Sequence, residues 1–187
     1  MDAADVVQRA TRGDEAALEL IMREHQEAVF RLAYLLLRDA DDAEDVAQET
    51  FIRAFRALAA FDAARPLRPW LLHIATNLVR NRQRSVRRYL AAVGRWISSE
   101  PAPVTEHGER SGQHWEAHQL WQAISRLRAQ DREILSLRYF LDLTENEISS
   151  TLAIAPGTVK SRLHRATKRL RTVVDSEFPR LREERPQ

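Results

Sequence analysis

Lys160, Ser161, His164 and Arg165 recur at spacings that a helix gathers onto one face. Each can donate a hydrogen bond, and together they suit the edges of DNA base pairs. An arginine fork matches the two acceptors of guanine, and a lysine meets phosphate as a point charge. Arg162 is a candidate phosphate contact. The preceding residues supply what such a face needs. Thr144-Glu145-Asn146-Glu147 has the spacing of a capping box. Ala153-Ile154-Ala155 makes a short connection, and Pro156-Gly157-Thr158-Val159 opens the next helix, which Val159, Leu163 and Leu170 would anchor. This is the pattern of a helix-turn-helix, whose first helix braces and whose second enters the major groove. A solvated amphipathic helix has the same periodicity, but cap, short turn and basic face together favour a DNA reader.

Other constellations are less specific. Arg80, Arg82, Arg84, Arg87 and Arg88 form a basic run that suits nucleic acid or merely a solvated face. Just before it, Trp70, Leu71, Ile74, Leu78 and Val79 make an apolar stripe, and Asn77 lies off it beside His73 and Arg80. A buried amide would need partners that those neighbours cannot supply, so Asn77 is expected to be exposed and to serve recognition. Asp39, Asp41, Asp42, Glu44, Asp45 and Glu49 form an acidic cluster. Asp45, Gln48, Glu49 and Arg53 oppose an apolar side of Val46, Ala47, Phe51, Ala54, Phe55 and Leu58. By itself such a polar face reads as solvation. His114 and His118 stand four apart with Glu116 between them and His107 nearby. The zinc-protease pattern needs Glu directly after the first His, where this chain has Trp115, and there is no Cys. No cofactor or metal is expected, and without a phosphate loop or nucleophile–base pair, no catalysis.

The elements that carry these residues are helices. In 187 residues there are only five Gly and seven Pro, against abundant Ala, Leu, Arg, Glu and Gln. Leu18, Ile21, Met22, Val29, Leu32, Ala33, Leu36 and Leu37 trace one amphipathic helix. Asp41 with Glu44 has capping-box spacing and would start a second helix, and a third would run from Pro66 to Arg88. Four shorter helices follow, at 115–128, 131–140 with Asp131 as N-cap, 144–152, and from Gly157 onward. Between the blocks, Gly94, Ser98, Ser99, Pro101, Pro103, Gly108, Ser111 and Gly112 read as a linker. The fold class is therefore all-α: two small helical domains, 1–90 and 115–178, joined by a flexible linker at 91–114, with a frayed tail at 179–187. The net charge is +2, and Lys160 and Lys168 are the only lysines, so positive charge rests almost wholly on Arg. The N-terminus lacks a signal-peptide pattern and no apolar run could span a bilayer, so a cytoplasmic protein is expected.

Two stretches resemble a known family. Leu143-Thr144-Glu145-Asn146-Glu147-Ile148 with Ile154 to Ala166 resembles region 4 of the extracytoplasmic-function sigma factors. Asp41 to Phe51 and Pro69 to Asn77 resemble their region 2. Ser149 departs from the Ala usual after Glu-Ile, a change expected to be without consequence. The resemblance implies a transcription initiation factor that binds RNA polymerase core. Asp45, Gln48, Glu49 and Arg53 would dock on the coiled coil of the largest subunit, and the flap of the second-largest subunit would also be met. His73, Asn77, Arg80, Arg84 and Arg87 would take the opened minus-10 element, Asn77 at a base edge and the arginines at phosphates. Trp70 could stack on a base or belong to the core. Lys160, Ser161, Arg162, His164 and Arg165 would read the minus-35 duplex. The linker, mildly acidic through Glu100, Glu106 and Glu109, would thread the polymerase cleft. An anti-sigma partner is implied, and a monomer when free. The rival reading, a two-domain regulator acting without polymerase, is separated by asking whether DNA binding needs added core enzyme.

Overall fold

In the computed structural model, residues 3–93 and 112–178 are described, with side chains at 4–89 and 119–178. No strand occurs among them. The first helical unit comprises α1 (Ala3–Thr11), α2 (Glu15–Leu37), α3 (Ala40–Ala57), a 3₁₀ turn (Leu58–Ala60) and α4 (Leu67–Val93). The second comprises α5 (Gly112–Ser125), α6 (Ala129–Leu135), a π turn (Ser136–Phe140), α7 (Glu145–Leu152) and α8 (Pro156–Glu177).

The helices begin where side chains can satisfy orphan amides. Asp14 caps α2, its carboxylate accepting from Ala17 N–H at 3.2 Å. Asp39, not Asp41, caps α3 through Asp42 N–H at 2.8 Å, because Asp39 is the last residue with extended backbone. Arg38 takes a left-handed conformation (φ 65°), closes α2 and separates the two helices. Asp131 is likewise not the cap of α6. That position falls to Arg128, which offers no side-chain bond. The expected helix 131–140 breaks instead at Leu135, where the π turn lets Leu141 N–H reach Ser136 O at 3.1 Å. Helix α1 went unforeseen, and α4 runs three residues into the expected linker. Helix α5 likewise takes up the last three residues of the expected linker, from Gly112. The linker between them, including Glu100, Glu106, Glu109 and His107, lies outside the described residues, as do the tail and the side chains of His114 and His118.

The apolar stripes meet as their periodicity requires. Leu32 on α2, Leu71 and Leu72 on α4, and Ile134, Leu135 and Ile148 of the second unit are all under 2% exposed. Burying each stabilises by about 1.5–3 kcal/mol, more than an exposed ion pair supplies. Met22 is the exception among the expected core residues, 40% exposed at the edge of the α2 stripe. Trp70 is partly buried and packs on Phe61 with ring centroids 4.6 Å apart. The two units also pack on each other, chiefly α4 against α7, and their buried residues form one continuous cluster.

Candidate functional site

The helix-turn-helix is built as its spacing requires. Thr144 Oγ1 accepts from Glu147 N–H, while the Glu147 carboxylate accepts from Thr144 N–H at 2.8 Å. These bonds hold the Glu147 carboxyl below its ordinary value, the Thr144 amide being the main cause. Helix α7 ends at Ala153 in a left-handed conformation (φ 53°). Ser149 is not idle there: its hydroxyl donates to Ile154 O at 2.6 Å, and its carbonyl accepts from Ile154 N–H at 3.1 Å. The side chain therefore ties the turn that sets the angle of α8. Pro156 at the first turn pre-sets φ for α8. Val159 and Ala166 are fully buried, and Leu163 and Leu170 partly so. Lys160, Ser161, His164 and Arg165 are exposed together, and Arg162 is half-buried on their flank. Arg165 Nε donates to Ser161 O at 3.1 Å, which leaves the outer guanidinium nitrogens at the surface.

A pair the sequence did not foresee, involving the Asp131 expected as a cap, holds this helix in place. Asp131, 7% exposed at its side chain, accepts from Arg169 Nε and Nη2 at 2.7 and 2.9 Å. This bidentate pair clamps α8 to α6 and holds the Arg169 pKa above its ordinary value. Acidic spacing on α6 was visible in the sequence, but nothing there named the partner 38 residues away.

The face of α4 differs from expectation. Asn77 is half-buried, and its amide lies 3.0 Å from His73 Nε2. His73 Nδ1 lies 2.8 Å from Thr151 O on α7. A carbonyl only accepts, so a neutral His73 donates from Nδ1, and Nε2 accepts from Asn77. Arg80 makes a bidentate pair with Glu133 of α6, both bonds 2.8 Å. Glu133 is 5% exposed at its side chain, and the pair raises the Arg80 pKa. Asn77 thus found its partners on the imidazole and, through it, on another unit rather than among its apolar neighbours. Further along α4, Arg84 and Arg87 are exposed. Arg82 turns the other way, to Asp42 and to Asp45 at 3.3 Å.

On α3, Asp45, Gln48 and Arg53 are exposed and Glu49 half-exposed. Glu49 and Arg53 pair at 2.6 Å, a surface contact of small energetic weight. Asp45, Gln48 and Glu49, but not Arg53, line an open groove between α3 and α4 that also carries the exposed apolar Ile52 and Val86. Apolar side chains ringed by charge suit a docking helix better than bare solvent. Among the described residues no group of three His, Cys, Asp or Glu could hold a metal, and no helix is long and apolar enough to cross a membrane.

Comparison with known proteins follows these boundaries. Sigma-70 region 2 matches residues 21–89, and Sigma-70 region 4 matches residues 117–170. The ECF RNA polymerase sigma factor SigL of Mycobacterium tuberculosis is 33% identical over 166 residues, 88% of this chain and 93% of that protein. SigW of Bacillus subtilis is 30% identical over 181 residues, 88% of this chain and 92% of that protein. Among solved structures, CnrH in complex with the cytosolic domain of CnrY aligns with TM-score 0.70 at 24% identity, covering 94% of this chain and 98% of that one. RpoE of Bartonella quintana in complex with the anti-sigma factor NepR aligns with TM-score 0.68 at 23% identity, covering 85% of this chain and 97% of that one. Both alignments speak to the fold.

Proposed function

From the premise that the chain belongs to the extracytoplasmic-function sigma factors, which direct promoter-specific initiation by RNA polymerase, we propose how its helices divide that work. Helix α3 docks on the coiled coil of the largest polymerase subunit through Asp45, Gln48, Glu49 and Arg53. Helix α4 takes the opened minus-10 strand, with Asn77 and His73 at a base and Arg80, Arg84 and Arg87 at phosphates. Helix α8 reads the minus-35 duplex, with Lys160, Ser161, His164 and Arg165 at base edges and Arg162 at phosphate. The division of the chain is 1–90 for core binding and minus-10 capture, 91–114 as connector, and 115–178 for minus-35 recognition and the flap of the second-largest subunit. The chain acts by binding rather than by catalysis, in the cytoplasm, as a monomer when free. An anti-sigma protein is a further partner, a reading supported by the complexes in which the two structural relatives were solved.

The observation that carries this reading is the exposed basic face of α8 behind a capped helix-turn-helix, together with an exposed polar face on α3 of the same chain. Phosphate contacts make such binding strongly salt-dependent. The test is transcription reconstituted from core polymerase and the purified chain on a promoter found by start-site mapping. Reversing charge at both Asp45 and Glu49 should abolish co-purification with core while helicity is unchanged. Retained binding by the folded double variant would remove α3 from the interface.

A further inference from the structure

Arginines that face a neighbouring helix mostly meet a carboxylate: Arg80 meets Glu133, Arg82 meets Asp42, and Arg169 meets Asp131. Three others do not. Arg38 closes α2, and its Cζ lies 5.9 Å from the ring centroid of Trp121 on α5. Arg132 on α6 donates through Nη1 to Ser125 O, one turn beyond Trp121, and to Leu127 O, at 3.2 and 3.1 Å. Arg87 lies one turn beyond Gln83 on α4, and Gln83 Nε2 donates to Leu36 O, two residues before Arg38, at 3.1 Å. Cations from α2, α4 and α6 are thus brought together, and among the described residues none of the three pairs with a carboxylate. Burial pushes the Arg132 pKa below its ordinary value, and the charges of Arg38 and Arg87 push it further. Glu133, already held by Arg80, offsets this only in part.

Two buried polar atoms on α6 also lack a hydrogen-bond partner, Arg132 Nε and Ser136 Oγ. They stand one turn apart on one face of the helix. Ser136 is 1% exposed, so bulk water does not satisfy its hydroxyl. A guanidinium N–H only donates, so what Arg132 Nε lacks is an acceptor, and an unmet buried donor is costly. The surrounding positive charge selects an acceptor that is anionic. We propose that Arg38, Arg87 and Arg132 form a binding site for a small phosphate dianion, with Trp121 as one wall and the Ser136 hydroxyl as a further donor. Guanidinium forks engage phosphate oxygens two at a time, a match that a spherical anion such as chloride does not offer. Arg38 and Arg132 are half-buried. A small anion therefore suits them better than the phosphate of a nucleic-acid strand, which brings a sugar on either side. Arg38, Arg132 and Ser136 lie outside the residues assigned to promoter DNA, so the site stands whether or not α4 takes the minus-10 strand.

A ligand that binds only the folded chain raises its stability with concentration. The test is thermal unfolding of the full chain against inorganic phosphate and pyrophosphate, with sodium chloride at matched ionic strength as reference. Both phosphate probes should raise Tm along a saturating curve, and chloride should not, because a site saturates and general screening does not. Arg38→Gln keeps a polar side chain at the left-handed cap but removes one fork, and should raise the half-saturating concentration about tenfold. Arg23→Gln, in the first half of α2, should respond as the parent does. A parent that responds to phosphate as it does to chloride overturns the site, and so does a folded Arg38→Gln that saturates where the parent does. Should Arg38→Gln not fold, nuclear magnetic resonance on the parent decides. The Nε–H proton of Arg132 should move downfield as pyrophosphate saturates, and an unmoved resonance overturns the proposal. Nucleic acid is separated by the anisotropy of a fluorescein-labelled minus-10 single strand with core polymerase present. Arg38→Gln should capture that strand as the parent does. Weakened capture by the variant, with no saturating response of the parent to either phosphate probe, overturns the small-ligand site and gives these arginines to DNA.

Discussion

Arg165 and Arg162 sit three residues apart on one helix, yet they should fail in different ways. A bidentate contact to a base carries sequence information, so Arg165→Ala should cost about 1–3 kcal/mol and relax preference at one base pair. Arg162, on the flank, should behave as a phosphate contact. Its replacement by Ala should weaken binding to every sequence and lower the salt slope by about one charge. Titrations against a panel of minus-35 duplexes at several salt concentrations check both, and the reverse pattern would mean that α8 presents a different face. Asn77 has surroundings that depart from the exposed position its spacing predicts. An exposed amide could be removed at no cost to stability, but this one is half-buried on His73 Nε2. Asn77→Ala should therefore lower stability by about 1 kcal/mol. It should also reduce permanganate reactivity of melted thymines on a promoter with its native minus-10 element. Full opening of every promoter by the variant would make the residue structural only.

At the scale of the element, the helix-turn-helix is held by a cap at one end and a tied turn at the other. Thr144→Ala should destabilise the second unit by about 1 kcal/mol, the usual worth of an N-cap. The pH dependence follows from the lowered Glu147 pKa. A carboxyl whose folded pKa lies below its unfolded value near 4.5 stabilises fully above that value. The stabilisation is lost as pH falls through the lower folded value. Exchange of α7 amides, corrected for intrinsic rates, should rise over that acid window in the parent and be flat in Glu147→Gln, while Thr144→Ala, which keeps the backbone amide that is the main cause, should retain much of the dependence. Ser149 was expected to be interchangeable with Ala, but its hydroxyl bridges to Ile154 O. Ser149→Ala should cost about 1 kcal/mol and loosen the turn. Ala153→Gly should act oppositely, because glycine enters the left-handed region without the steric penalty alanine meets at φ 53°. Thermal unfolding of the two variants should shift in opposite directions.

For the whole molecule, what matters is that two units share one buried cluster. Ile148 is fully buried on α7, the helix that packs on α4. Ile148→Ala should cost the second unit about 2–5 kcal/mol through lost contacts and a cavity. If the seam couples the units, α4 amides in the first unit should also exchange faster in that variant. Unchanged α4 protection would show two units that only touch. The same seam explains why the basic run of α4 does not act as one patch. Arg80 faces Glu133 across the seam and Arg82 faces Asp42 and Asp45 on α3. Of the run, Arg84, Arg87 and Arg88, in the turns beyond them, are exposed.

Periodicity and caps are local, so the amino-acid sequence by itself determined most of the helices, though not α1 or the break at Leu135, and with them the helix-turn-helix and the outward face of α8. A capping box needs only residues three apart, and an amphipathic stripe needs only a repeat near 3.6. Residue types then set the chemistry each face could perform, and the order of the two matched stretches set the family. Local pattern could not choose between Asp39 and Asp41 as the cap of α3, because both precede a suitable run and only the backbone conformation decides. Nor could it place Asp131, whose partner Arg169 lies on α8. The state of the α4 face belonged wholly to the tertiary structure. Helical spacing puts His73, Asn77 and Arg80 side by side and says that something polar must meet them. That the something is Thr151 and Glu133, 78 and 53 residues away, follows only from how α4 packs against α6 and α7.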